Sequence, residues 1–239
     1  MEGAGLSAAS RLYIALDFPY ASAARDLAEK LAPMKVGLKL GLELFSAEGP
    51  GLVRELAERA ELFLDLKFHD IPNTVAGAVS RVAGLGAAVT NIHLSGGEAM
   101  CRAAVAARDA SGSKMKLIGV TVLTSLGDDD LNQLWKADLA AGHAALRLAE
   151  LARDWGLDGV VASAREASAI RAACGEDFLI VTPGIRPAGG DVGDQKRVLT
   201  PAEALRAGAS HLVVGRPVTQ AHDPAAACAA ILDDMQSAL

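Results

Sequence analysis

The sequence predicts an α/β protein built as one (β/α)8 TIM barrel, and three observations carry that prediction. Short apolar, strand-like runs alternate with amphipathic helical stretches eight times along the chain. The runs are continuously apolar, as in parallel sheets buried on both faces. The whole alternation fits in 239 residues, without a linker or a change in composition, and that length is ordinary for a single barrel of this kind. A doubly wound open sheet is the alternative, but no strand–helix turn carries a dinucleotide-type glycine fingerprint. One domain is therefore expected over residues 1–239, with residues 1–11 a short N-terminal extension.

The first strand is expected at Leu12–Asp17. Ser22 then caps a helix with Leu27, Ala28 and Leu31 on one face, closed by Pro33. Gly37–Gly41 is the second strand, and Pro50 opens a helix carrying Leu52, Val53, Leu56 and Ala57. The third strand, Leu62–Lys67, runs through a proline turn into a helix from about Asn73 that carries Val75, Val79 and Val82. Ala88–Leu94 reads as the fourth strand and Glu98–Ala110 as its helix. Leu117–Leu123 is the fifth, with a longer crossover through Asp128–Asp130 and a helix over Leu139–Trp155. Gly159–Ser163 is the sixth, its helix running through Ile170, and Phe178–Gly184 the seventh. A Gly-rich loop, Arg186–Arg197, precedes Thr200-Pro-Ala-Glu203, which has the form of a capping box with proline at the first helical position. His211–Arg216 is the eighth strand, and Asp223-Pro224 starts the last helix.

Composition narrows the function classes. The chain is 51% hydrophobic and 22% charged, enough for a sizeable core, and its formal net charge of −6 argues against nucleic acid or an anionic membrane as partner. An anionic small substrate would need a local cluster of lysines and arginines. Cys101, Cys174 and Cys228 are odd in number and lack metal-like spacing, which fits a reducing cytosol. Met1 to Arg11 contain no apolar segment of the signal-peptide kind. No apolar run approaches the roughly 18 residues of a membrane span. A soluble, cytoplasmic protein is expected.

The stretch Leu62-Phe-Leu-Asp-Leu-Lys-Phe-His-Asp-Ile-Pro-Asn-Thr74 breaks the apolar rule. Side chains two apart in a strand share a face, so Asp65 and Lys67 point together, and burying both is costly unless they pair. Taken alone, the segment reads equally as an exposed ion pair on an edge strand. Other strand ends decide the matter. In this architecture active sites sit at the C-terminal ends of the strands, and there the chain places Asp17, Lys39, Asp65 and Lys67, with Asp70 just beyond. Their formal charges nearly cancel, which lets a dry site hold them. Thr124 and Ser125 follow the fifth strand. Loops after strands seven and eight are a recurrent phosphate site in such barrels, and here they supply Gly184, Arg186, Gln195, Gly215 and Arg216.

The segment Asp65-Leu-Lys67-Phe-His-Asp70-Ile-Pro-Asn-Thr74 resembles the signature of the orotidine 5'-monophosphate decarboxylase family, in its bacterial form. The resemblance extends through Ala15-Leu-Asp17, Leu38-Lys39-Leu-Gly41, Val120-Thr-Val-Leu-Thr124-Ser125, Thr182-Pro-Gly-Ile-Arg186-Pro187, Gly193-Asp-Gln195 and Val214-Gly-Arg216-Pro-Val-Thr219. It implies a cofactor-free and metal-free enzyme that makes uridine 5'-monophosphate and carbon dioxide, the last step of de novo UMP biosynthesis. It further implies that Asp17 and Lys39 bond the ribose hydroxyls, that Asp65 stresses the substrate carboxylate, and that Lys67 protonates C6. Asp70 and Thr74 would reach into the partner's site of a homodimer. Thr124, with Ser125 as a further candidate, would read the pyrimidine edge. Gln195, Gly215 and Arg216 would hold the phosphate, with Arg186 in the loop closing over it.

The rival is a related phosphate-binding barrel decarboxylase or aldolase acting on a keto-sugar phosphate. Those relatives bind magnesium through an acidic residue of the second strand, where this chain has Lys39, with Glu43 beyond it. A non-catalytic nucleotide-binding barrel is a further alternative, disfavoured by the intact Asp65, Lys67 and Asp70 array. His69 and His93 read as structural rather than catalytic.

Overall fold

The computed structural model describes residues 7–136, 138–187 and 199–239. Its eight strands are β1 (Leu12–Ala15), β2 (Gly37–Gly41), β3 (Leu62–Phe68), β4 (Val89–His93), β5 (Lys116–Val120), β6 (Gly159–Val161), β7 (Leu179–Thr182) and β8 (His211–Val214). All pair in parallel in chain order, and β8 closes on β1 through Leu12↔Leu212 and Ile14↔Val214. The expected closed barrel is therefore observed, and the open sheet is not.

The helices are α1 (Ala21–Leu31), α2 (Leu42–Glu48), α3 (Pro50–Ala57), α4 (Pro72–Ala83), α5 (Gly97–Ala110), α6 (Asp128–Trp135), α7 (Ala141–Asp154), α8 (Ala164–Cys174), α9 (Pro201–Arg206), α10 (Arg216–Thr219) and α11 (Pro224–Gln236). The capping box forms as expected: Thr200 Oγ1 accepts from Glu203 N at 3.3 Å, and Thr200 N donates to Glu203 Oε2 at 2.9 Å. Asp223 caps α11 by accepting from Ala226 N at 3.0 Å. Ser22 does not cap α1, which starts one residue earlier behind Tyr20 with no side-chain cap.

Two apolar shells hold the barrel. Leu12, Ile14, Leu38, Leu40, Leu62, Leu64, Ile180 and Leu212 belong to the outer core shared with the helices. Tyr13, Ala15, Phe63, Val89, Ile118, Val181 and Val213 form a separate inner cluster. Burying each Leu, Ile, Val or Phe side chain among these is worth about 1.5–3 kcal/mol. The inward ring of Tyr13 explains Gly37, where a Cβ would stand 2.5 Å from Tyr13 Cδ1.

Several strands are shorter than their apolar runs. β1 stops at Ala15, β5 at Val120, β7 at Thr182 and β8 at Val214. Asp17, Thr124, Gly184, Arg186 and Arg216 therefore lie beyond the strands rather than on them. Leu16 continues the apolar run by packing into the outer core, so hydrophobicity there marks burial rather than strand.

Candidate active site

The inward positions of β2, β3 and β4 build the floor. Lys39 stands between outward Leu38 and Leu40, and Asp65 follows Leu64 on the same pattern. Both charged residues are 8% exposed. Lys39 Nζ lies 3.2 Å from Asp65 Oδ2 and 3.4 Å from Asp17 Oδ1, while Lys67 Nζ lies 2.6 Å from Asp65 Oδ1. One buried carboxylate is thus held between two ammonium groups. Burial pushes the Asp65 carboxyl up, but the charges of Lys39 and Lys67 and the bonds from Lys67 and Asn91 outweigh it, leaving its pKa below the usual carboxylate value.

Asp65 and Lys67 meet as expected, though not by simple two-residue alternation. Pairing of β3 with β4 shifts from Leu64↔Thr90 to Phe68↔Ile92, so four steps along β3 match two along β4. Within this bulge Lys67 takes φ 51°, the left-handed region that L side chains rarely adopt. Lys67 lines the cavity from within this bulge. Asn91, fully buried on β4, closes the bulge: its Oδ1 accepts from Lys67 N at 2.8 Å and its Nδ2 donates to Asp65 Oδ1 at 2.7 Å.

A cavity of about 530 Å³ opens above this floor, lined among others by Asp17, Lys39, Asp65, Lys67, Thr124, Gly184, Arg186, Gly215 and Arg216. Nine of the residues expected from the sequence therefore converge: Asp17, Lys39, Asp65, Lys67, Thr124, Gly184, Arg186, Gly215 and Arg216. Arg186 is 7% exposed, behind Gly184 at φ 77°. At Gly215 a Cβ would sit 3.4 Å from Asp17 Oδ2, so the absence of a side chain keeps this wall open. Asp70 and Thr74 are exposed and do not line the cavity, the Asp70 carboxylate accepting instead from Ile71 N at 2.6 Å. Ser125 is exposed. Gln195 lies outside the described residues.

Two residues went unforeseen. Gln220 lines the cavity from just beyond α10. Asn91 carried a legible signal, since an amide on a strand expected to be buried on both faces must find partners. His69 and His93 place their rings 5.3 Å apart beside this site without lining the cavity. Burial, and then His69 and Lys67, hold the His93 pKa below its ordinary value.

A model of the "Orotidine 5'-phosphate decarboxylase / HUMPS family" matches residues 10–231. The chain belongs to this family. It is 52% identical over 231 residues to an orotidine 5'-phosphate decarboxylase of Sodalis glossinidius, covering 96% of this chain and 91% of the relative. It is 56% identical over 221 residues to one of Alkalilimnicola ehrlichii, covering 92% and 94%. The crystal structure of the orotidine 5'-phosphate decarboxylase of Lactobacillus acidophilus superposes with a TM-score of 0.84 at 38% identity, covering 95% of this chain and 99% of that one.

Proposed function

We propose that this family member decarboxylates orotidine 5'-monophosphate to uridine 5'-monophosphate and carbon dioxide, the last step of de novo UMP biosynthesis. The observation that carries the reading is the Asp65 carboxylate held between Lys39 and Lys67 in a cavity whose walls also carry Arg186 and Arg216.

Breaking the bond between C6 and the carboxylate leaves an electron pair in the ring plane, where the ring π system takes it up poorly. The residues answer with fixed charge. The Lys67 ammonium stabilises the developing carbanion and then transfers its proton from Nζ to C6, while the carboxylate leaves as carbon dioxide. Asp65 repels the substrate carboxylate, a repulsion relieved as carbon dioxide departs. At ~4 Å and an effective dielectric of about 20, one such charge pair is worth on the order of 4 kcal/mol. The remainder comes from distant contacts: Asp17 and Lys39 on the ribose, Thr124 on the pyrimidine, and Gly215, Arg216 and Gln195 on the phosphate, with Arg186 in the closing loop.

The active unit in this proposal is a homodimer. Asp70 and Thr74 stand exposed at the rim beside Ile71, which is 66% exposed, a position suited to completing the site of a second copy. Among the described residues no helix is long and apolar enough to cross a membrane. Cys101, Cys174 and Cys228 are all free thiols, in keeping with the proposed cytoplasmic setting. The keto-sugar phosphate reading is weaker because the Lys39 ammonium stands between Asp17 and Asp65, opposing a divalent cation there. The test is a chelator-treated assay on orotidine 5'-monophosphate without added cofactor, followed by ultraviolet absorbance. Absence of decay in the substrate band defeats the proposal.

A further inference from the structure

We infer that Asn91 is a positioning residue for the reaction, its carboxamide holding both the carboxylate of Asp65 and the backbone bulge that aims Lys67. Asn91 projects inward from β4, wholly buried, and spends both ends of its amide on the two central groups. Its oxygen takes the Lys67 N–H at 2.8 Å, a donor that the disrupted β3–β4 ladder leaves without a regular strand partner. Its nitrogen gives a hydrogen bond to Asp65 Oδ1 at 2.7 Å, the same oxygen that Lys67 Nζ approaches at 2.6 Å.

The two bonds have separate consequences. Lys67 sits at φ 51°, a conformation that persists only where its surroundings enforce it. The bond to its N–H supplies part of that enforcement. The bond to Asp65 orients a carboxylate that also faces Lys39 from β2 and Lys67 from β3, with His93 nearby on β4. Asn91 lies outside the cavity lining, so it acts through these neighbours rather than on the substrate.

The inference rests on Asp65 and Lys67 being the reacting groups, and its experiment keeps the two apart. Asn91→Asp retains an acceptor for the Lys67 N–H, cannot donate to Asp65 when ionised, and adds a like charge. Asn91→Ala removes both bonds. Each purified variant is checked by thermal melting, and kcat, KM, UMP affinity and the pH profile of kcat are measured beside Lys67→Ala. Misplacement of a reacting group by ~1 Å costs on the order of 100-fold in rate, so kcat is expected to fall by about that factor. UMP affinity stays near wild type, because Asn91 on β4 lies across the barrel from β8, after which the proposed phosphate residues Gly215 and Arg216 follow. In Asn91→Asp the acid limb moves to higher pH, since the carboxylates become harder to ionise together. Folded variants with wild-type kcat and an unmoved limb overturn the inference, as does UMP affinity falling in step with kcat. If Lys67→Ala turns over normally, the underlying assignment of the reacting groups fails instead.

Discussion

The Nζ of Lys67 lies 2.6 Å from Oδ1 of Asp65, and the opposite oxygen of that carboxylate faces Lys39 at 3.2 Å. Replacing the carboxylate with an isosteric amide removes the negative charge and keeps the shape. If its electrostatic share is on the order of 4 kcal/mol, Asp65→Asn lowers kcat by about 10³-fold. Single-turnover kinetics check this, since the loss belongs to the chemical step. A decrease of less than about tenfold contradicts the role assigned to Asp65.

Arg216 follows β8 immediately after Gly215, on the wall assigned to the phosphate. A hydrogen bond to a charged group is worth about 1.5–3 kcal/mol, so Arg216→Ala raises KM for the nucleotide by about tenfold to a hundredfold. The phosphate-free nucleoside is hardly affected. Equal effects on both substrates remove Arg216 from the phosphate site.

Asp70 is exposed and outside the cavity of its own chain. If it completes the neighbour's site, mixing Asp70→Asn subunits with Lys67→Ala subunits restores activity in the heterodimer. One of its two sites then has both residues intact. A demonstrated heterodimer with no recovered turnover contradicts the shared site.

At the opposite end of the barrel His211 stacks on Tyr13, with ring centroids 5.8 Å apart. Burial, and then the charge of Arg11, push its pKa down to about 4 from the ordinary value of about 6.5. Between those values the unfolded chain binds a proton that the folded chain refuses. Unfolding free energy therefore falls as pH drops through that window, by on the order of 3 kcal/mol for this group. His211→Gln flattens that part of the curve, which urea titrations near pH 7 and near pH 4 measure. An unchanged pH dependence in the variant contradicts the assignment.

The eight βα units were legible because strands buried on both faces leave continuous apolar runs. Strand ends were not, since Leu16 stays in the core after pairing has stopped. Lys39 and Asp65 could be placed inward from the alternation of their leucine neighbours. The bulge was hidden because nothing in Leu-Phe-Leu-Asp-Leu-Lys-Phe marks Lys67 for a left-handed backbone. The backbone N–H of Lys67 bonds Asn91, which is 24 positions away in the chain and adjacent only once β3 and β4 pair. Asp70 and Thr74 fitted no role from periodicity, and the single chain leaves them exposed.

The most direct measurement is the turnover of orotidine 5'-monophosphate by Lys67→Ala, followed by loss of substrate absorbance with UMP affinity determined in parallel. If Lys67 stabilises and protonates the C6 carbanion, turnover is abolished while the folded variant still binds UMP. Decarboxylation at a near-normal rate would contradict the central claim.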